Sequence, residues 1–187
     1  MTPVRVVRPR VSYADLQQAP EDGRRYELYD GEVFVVPAPI PRHQRVVQNL
    51  ELRLLSYVQS RGGLVLTSPI DIVFSEFDVV QPDIVFFSRD RAQLVDPDRA
   101  IRDAPGLAVE VLSPSTAATD RGKKMQMLAR YGVPEYWLVD PLARTLEIYR
   151  LSADAYALEQ IASEDDIARS RILFELSFPA CEIFGDW

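Results

Sequence analysis

Residues 81–87 read Gln81-Pro82-Asp83-Ile84-Val85-Phe86-Phe87, and residues 107–112 read Leu107-Ala108-Val109-Glu110-Val111-Leu112. The apolar run from Ile84 to Phe87 is continuous, the mark of an interior strand covered on both faces, and the run around Glu110 reads the same way. Each segment carries one carboxylate. Asp83 stands at the strand entry, where Pro82 removes a backbone donor and stiffens the approach. On its own a Pro-Asp pair is a common turn. Glu110 is different, because a carboxylate inside an apolar strand is costly to bury without a partner. A solvated sheet face, an arginine or a metal ion could each supply the compensation.

Working outward, the pattern alternates between strand and helix. Ser12 to Gln18 reads as a short helix, with Ser12 as N-cap and Asp15 three residues on completing a capping box. Tyr26 to Val36 reads as two strands joined at Asp30-Gly31, and Pro37, Pro39 and Pro41 end that hairpin. Val46, Val47, Leu50, Leu54 and Val58 recur at helical spacing between Arg42 and Arg61, and Gly62-Gly63 stops the helix. Leu64 to Leu66 and Ile70 to Phe74 are expected as short strands around Ser68-Pro69. Residues 89–105 are polar with one helical turn. After the loop Ser113-Pro114-Ser115-Thr116, a helix is expected from Asp120 to Tyr131, closed by Gly132. Strands then follow at Glu135–Asp140, Thr145–Arg150, Tyr156–Ile161 and Ile172–Phe174. That order suggests an α/β or α+β sheet with packed helices and an antiparallel C-terminal extension. Residues 1–11 read as an arm and 12–187 as a single domain.

Composition narrows the chemistry. The chain has 187 residues, 47% of them hydrophobic, enough for a single well-buried core. No apolar run approaches a membrane span and the N-terminus lacks a signal-peptide core, so a cytoplasmic protein is expected. One cysteine, Cys181, excludes an internal disulfide and a cysteine-rich zinc site. One histidine, His43, leaves a histidine-based zinc site without ligands. The net charge of −7 argues against a nonspecific nucleic-acid coat, although carboxylates of a metal site would themselves add negative charge.

Lys124 follows Asp120 by one helical turn in Asp120-Arg121-Gly122-Lys123-Lys124. Lys123 points about 100° away from Lys124, and Met127, Leu128 and Tyr131 do not decide which of the two faces inward. The plain reading of both is a solvated helix face. Glu27 alternates with Leu28 and is expected as an exposed strand carboxylate, and His43 near a helix start as a surface or capping group. Two carboxylates can nevertheless hold one Mg²⁺ or Mn²⁺ with waters completing the shell. The ion polarises a phosphate and activates a water, and a lysine can orient that water or stabilise the developing charge.

Several strings together resemble the Uma-type restriction endonucleases of the PD-(D/E)XK nuclease superfamily, over roughly residues 12 to 184. They are Tyr26-Glu27-Leu28 with Asp30-Gly31-Glu32, then His43, Gln81-Pro82-Asp83-Ile84, Val109 to Thr116, Asp120 with Lys124, and Gly132 to Asp140. The resemblance implies a restriction-endonuclease-like core, a mixed central sheet flanked by helices, and metal-dependent phosphodiester hydrolysis. It matches Asp83 and Glu110 to the two metal carboxylates, Glu27 to an accessory acid, and His43 to a position with no assigned role. The superfamily's usual lysine lies two residues after the glutamate, where this chain has Leu112. The resemblance places the lysine in the following helix at Lys124, with Lys123 as fallback and Asp120 as a further accessory. The expected function is a Mg²⁺- or Mn²⁺-dependent DNA endonuclease. The alternatives are a non-enzymatic dimeric binding module that keeps the fold, and a nuclease acting on RNA or branched DNA. A homodimer is expected, since nucleases of this fold pair to cut two strands. Tyr149, Tyr156, Phe178 and Trp187 are available for its interface.

Overall fold

Strands Arg25–Tyr29 (β1) and Glu32–Val36 (β2) form a hairpin whose corner residues, Asp30 and Gly31, both have positive φ (54° and 79°), as a type I′ turn requires. The structure is a computed structural model that describes residues 9–19 and 22–185. Ahead of the hairpin, Tyr13–Gln17 (α1) is capped by Ser12 with Asp15 in a complete capping box. Residues 1–8 of the expected arm, and Trp187, lie outside the described residues. Residues 9–11 do not stand free: Val11 N donates to Gly31 O at 2.9 Å, and the Arg10 guanidinium lies over the Phe77 ring.

The long helix Pro41–Arg61 (α2) starts with proline at its first turn and ends at Gly62, whose φ is 78°, the asymmetry expected of a helix with preset φ at one end and glycine at the other. Strands Leu64–Thr67 (β3), Ile72–Ser75 (β4), Asp78–Val80 (β5) and Ile84–Phe87 (β6) follow, and then a single short helix Arg89–Ala92 (α3) and strand Leu107–Val111 (β7). β5 was not foreseen; its three residues are too few to show a period. The next helical segment begins earlier than expected. It runs from Ala117–Thr119 (α4) through a π turn at Asp120–Lys124 into Met125–Arg130 (α5).

Strands Glu135–Asp140 (β8), Thr145–Ser152 (β9) and Ala155–Ser163 (β10) complete a six-stranded sheet ordered β10-β9-β8-β7-β6-β3. Its pairs are antiparallel except β7 with β8, which the helical segment connects, as a parallel pair requires. The four-stranded sheet is antiparallel and ordered β2-β1-β5-β4. The expected strand at Ile172–Phe174 is a turn instead. The C-terminal pairing is made by Ile167–Arg169 (β11) and Ser177–Pro179 (β12).

The side-chain parity of the larger sheet fixes everything that follows. Ile84, Phe86, Leu107, Val109, Val111, Trp137 and Val139 face α2 through Val46, Leu50 and Leu54. Val85, Phe87, Ala108, Leu112, Tyr136 and Leu138 face the other way, toward Met127 and Leu128 of α5. Alternation therefore puts Glu110, between Val109 and Val111, on the α5 side. Asp83, one step before Ile84, shares that side. The antiparallel register Ile84↔Val109, continued by one residue, sets Asp83 across from Glu110. Residues so placed carry Cβ atoms about 4.5–5.5 Å apart.

Candidate active site

Gln81-Pro82-Asp83 is the corner at which the chain leaves β5 in the smaller sheet and enters β6 in the larger one. The corner brings Glu27 of β1 to the same place, because Gln81 N donates to Glu27 Oε1 at 2.8 Å. Parity again decides direction: Leu28 packs with Tyr13, Val73 and Val79 on one face of the small sheet, leaving Glu27 and Tyr29 on the other. The π turn supplies the remaining groups, with Asp120 and Lys124 both buried.

These side chains converge on a single ammonium. Lys124 Nζ lies 2.8 Å from Glu110 Oε1, 2.9 Å from Glu27 Oε1 and 3.5 Å from Asp120 Oδ1. Lys124 is only 3% exposed. Tyr29 donates its hydroxyl to Glu27 Oε2 at 2.6 Å. Asp83 Oδ2 accepts from Val111 N at 2.8 Å and lies 3.1 Å from His43 Nε2. The group forms the floor of a cleft of about 270 Å³. Its lining includes the apolar run Val35 to Ile40 and the hydroxyl-bearing residues Ser113, Ser115, Thr116 and Thr119.

Three carboxylates thus lie within 3.5 Å of one buried ammonium, with Asp83 beside Glu110. Burial raises the Glu110 carboxyl well above its ordinary range, and Asp120, Asp83 and Glu27 push it the same way, against the pull of Lys124. Asp120 is raised too, chiefly by burial. Burial alone would lower Lys124, but the carboxylates of Glu110 and Glu27 overcome it and hold the ammonium charged. Glu135 provides the contrast: it is fully buried in β8, yet Trp137 Nε1, Ser170 Oγ and Arg171 N all donate to it. Burial by itself does not make a site; excess charge and unused acceptors do.

The unused acceptors are here. Of the four buried side-chain polar atoms without a partner among the described residues, His43 Nδ1, Gln81 Oε1 and Asp120 Oδ2 belong to residues lining this cleft. Gln81 has its amide turned by Asp71 Oδ1, which accepts from Nε2 at 2.7 Å while Asp71 Oδ2 accepts from the Tyr13 hydroxyl. That leaves Oε1 as the unpartnered end.

A family model described as Uma2, putative restriction endonuclease, matches residues 13–180. The chain belongs to the Uma2 family. Among solved structures it is similar to a putative nuclease belonging to DUF820 from Anabaena variabilis ATCC 29413, with a TM-score of 0.78 at 21% identity, covering 93% of this chain and 97% of that one. That likeness shows a shared fold. No curated protein matches.

Within this Uma2 chain the structure answers several sequence expectations. Glu27 is not an exposed strand carboxylate but 2% exposed, because both faces of β1 are covered. His43 is not a surface group; it is buried beside Asp83. Lys124 and Lys123 are cleanly separated: Lys123 is about half-exposed, pairs with Glu32 at 2.6 Å and sits over the Phe34 ring. Leu112 is buried in the core facing α5. Phe178 is core, whereas Tyr156 and Tyr149 are half-buried, donating their hydroxyls to Val133 O and Glu147. Alternation alone could not find the apolar lining, since Pro37 and Pro39 read only as breakers.

The residues fit a hard divalent cation held by two carboxylates. Asp83 Oδ1 and Glu110 Oε2 accept no hydrogen bond from the described residues. The excess negative charge and the raised Glu110 are what a cation would relieve. Among the described residues no group of three or more His, Cys, Asp and Glu is placed to hold a metal.

Proposed function

We propose that this protein is a Mg²⁺- or Mn²⁺-dependent endonuclease acting on DNA, with Asp83 and Glu110 as metal carboxylates, Lys124 as the group acting on the attacking water, and Glu27 as a supporting acid. The observation that carries the reading is the register-matched pair Asp83 and Glu110 at the floor of an open cleft, with two further carboxylates and only one lysine around it. When bound, the cation would polarise the scissile phosphate and lower the pKa of a bound water.

The chain's own groups divide the remaining work. Lys124 has three donors. Two are held at short range by Glu110 and Glu27, and Asp120 at 3.5 Å holds the third weakly. That third donor can turn to a water or a phosphate oxygen. His43 and Val111 N fix the orientation of Asp83. The Ser113 to Thr119 lining offers hydroxyl donors to the phosphate. Among the described residues no helix is long and apolar enough to cross a membrane, and we place the protein in the cytoplasm, working as a homodimer when it cuts two strands.

Titration of Mn²⁺ and DNA cleavage, each measured for the wild type, Asp83→Ala and Glu110→Ala, test the reading. Binding and cleavage that vanish in the variants support it; cleavage unchanged by both substitutions overturns the assignment. One observation favours a second reading, a non-enzymatic module on the same fold: Lys124 already neutralises part of the cluster without a metal. A folded protein that binds neither Mg²⁺ nor Mn²⁺ at millimolar concentration, with or without DNA, would establish it.

A further inference from the structure

An outer strand of a sheet presents unpaired backbone groups, and proteins cover or break such edges because they template further pairing. The two larger sheets have four outer strands, β2, β4, β3 and β10. Ile101 lies along β4, where Val73 N donates to its O and its own N donates to Asp71 O. β10 is broken by a bulge between Leu158 and Gln160, and the Gln160 side chain binds Ile167 O and Arg169 N. β3 has four residues, none of them fully exposed. β2 is the exception. Glu32-Val33-Phe34-Val35-Val36 pairs with β1 without a bulge and holds no proline or lysine. Val33 is 40% and Val35 51% exposed.

The hairpin register shows which groups are open. Tyr29 and Glu32 flank the two-residue turn as a hydrogen-bonded pair, and alternation makes Glu27 with Phe34 and Arg25 with Val36 the next such pairs. Val33 and Val35 therefore turn N–H and C=O away from β1, and these four groups have no partner among the described residues. The open stretch is bracketed. Gly31 is already used at one end, its N donating to Phe77 O and its O accepting from Val11 N. Pro37 at the other end has no N–H, and its O accepts from Arg25. One antiparallel self-pairing uses all four open groups: Val33 of one copy against Val35 of the other, and the reverse, with the two Phe34 residues facing each other at the two-fold axis. A slip of two residues either way would set Val35 against the occupied Gly31 or Val33 against Pro37.

The side chains suit the same pairing. Val33 and Val35 share the Leu28 face, so four valines come together out of water. Glu32 falls across from Val36 of the other copy, and Lys123 pairs with Glu32 of its own chain, so no like charges are opposed. We propose that β2 is the homodimer interface of this protein, two copies joining edge to edge into one eight-stranded antiparallel sheet. The two-fold axis stands normal to that sheet, so both copies turn the Glu27 face the same way. Glu27 lies directly across from Phe34, which sets the two Glu27 residues three strand spacings, about 14 Å, apart. The pairing stands on the register; that two clefts on one face then serve a single duplex rests on the nuclease reading. A five-residue strand pair is small against the roughly 1,000 Å² of a stable interface. Association is therefore reversible, and tightened by DNA that spans both copies.

Sedimentation equilibrium of the full chain across micromolar to submillimolar concentrations, with and without duplex DNA, tests this beside amide hydrogen exchange. The expected result is a monomer–dimer equilibrium in which the Val33 and Val35 amides exchange at least about tenfold more slowly in the dimer. Val33→Lys with Val35→Lys, at exposed positions that leave the thermal melt intact, should weaken dimerisation at least about tenfold. In a Cys181→Ser background, Phe34→Cys should cross-link on oxidation, since residues facing each other in a non-hydrogen-bonded pair have Cα atoms about 4.5 Å apart. Val33→Cys should cross-link only when mixed with Val35→Cys. A monomer at every concentration, with and without DNA, overturns the inference, as does a dimer that the two lysines leave intact. Slow exchange of the two amides in a monomer also overturns it, because another segment of the chain would then cover the edge. None of these results touches Mn²⁺ binding at Asp83 and Glu110. A dimer paired through β2 that binds no Mn²⁺ and cuts no DNA would instead sink the nuclease reading and leave the interface standing.

Discussion

Replacing Lys124 with Met should expose how the site is held together. The lysine is 3% exposed and lies within 3.5 Å of Glu27, Glu110 and Asp120. Methionine matches its length but leaves those carboxylates, with Asp83 beside them, without their ammonium. Breaking a buried pair from one side costs about 3–5 kcal/mol, and we expect that loss at pH 8. The loss should depend on pH. Glu110 and Asp120 already have raised carboxyl pKa values in the folded protein, and removing Lys124 raises them further. A carboxyl whose folded pKa exceeds its unfolded one keeps its proton longer in the folded state. Stability therefore falls as pH rises between the two values, by about 1.4 kcal/mol per pH unit for each such proton. The variant's deficit should thus shrink on going from pH 8 to pH 5. Urea denaturation of both proteins across that range measures it. Mn²⁺ at a hundredfold excess over Kd should raise the stability of whichever protein binds it by about 2.7 kcal/mol. A deficit independent of pH, or under about 1 kcal/mol at pH 8, would refute the picture of buried carboxylates sharing one ammonium.

Mn²⁺ affinity of the wild type should rise with pH, up to tenfold per unit while Glu110 remains protonated, and level off above its raised pKa; calorimetry giving one affinity from pH 5.5 to 8 would contradict this. Asp83→Asn and Glu110→Gln should each lower cleavage at least about a hundredfold while leaving the melting temperature unchanged or higher, because each removes a charge from a crowded site. Lys123→Ala should change stability by less than about 1 kcal/mol, as an exposed pair does, and cleavage less than twofold; a large loss would return Lys123 to the site. His43→Ala should weaken Mn²⁺ binding by roughly 10–100-fold without abolishing it, as loss of an orienting partner does.

The sequence made the interior strands legible because Ile84–Phe87 and Leu107–Val111 are continuous apolar runs, and the pairing of Asp83 with Glu110 then follows from parity and register. The choice between Lys123 and Lys124 was not legible. It turns on the π turn at Asp120–Lys124, and no local pattern distinguishes that turn from a regular helix. Glu27 and His43 were misjudged for a common reason. Each is locally an ordinary exposed position, and each is buried by an element far along the chain, the Gln81–Asp83 corner and the Asp83 carboxylate itself. β5 and the β11–β12 pair were too short for periodicity to register, whereas the capping box at Ser12 and the turn at Asp30-Gly31 rest on local chemistry and could be read directly.

The corner at Gln81-Pro82-Asp83 joins two sheets, and the cluster draws one acid from the smaller sheet and another from the larger onto one ammonium. Neither sheet holds an assembled site alone. A molecule whose small sheet has come loose, through heat, proteolysis or incomplete folding, can keep most of its six-stranded core and still lose Glu27 and the backbone amide of Gln81 that positions it. On the proposed reading, chemistry would be confined to intact molecules, and a partly opened copy would be disarmed before it is unfolded.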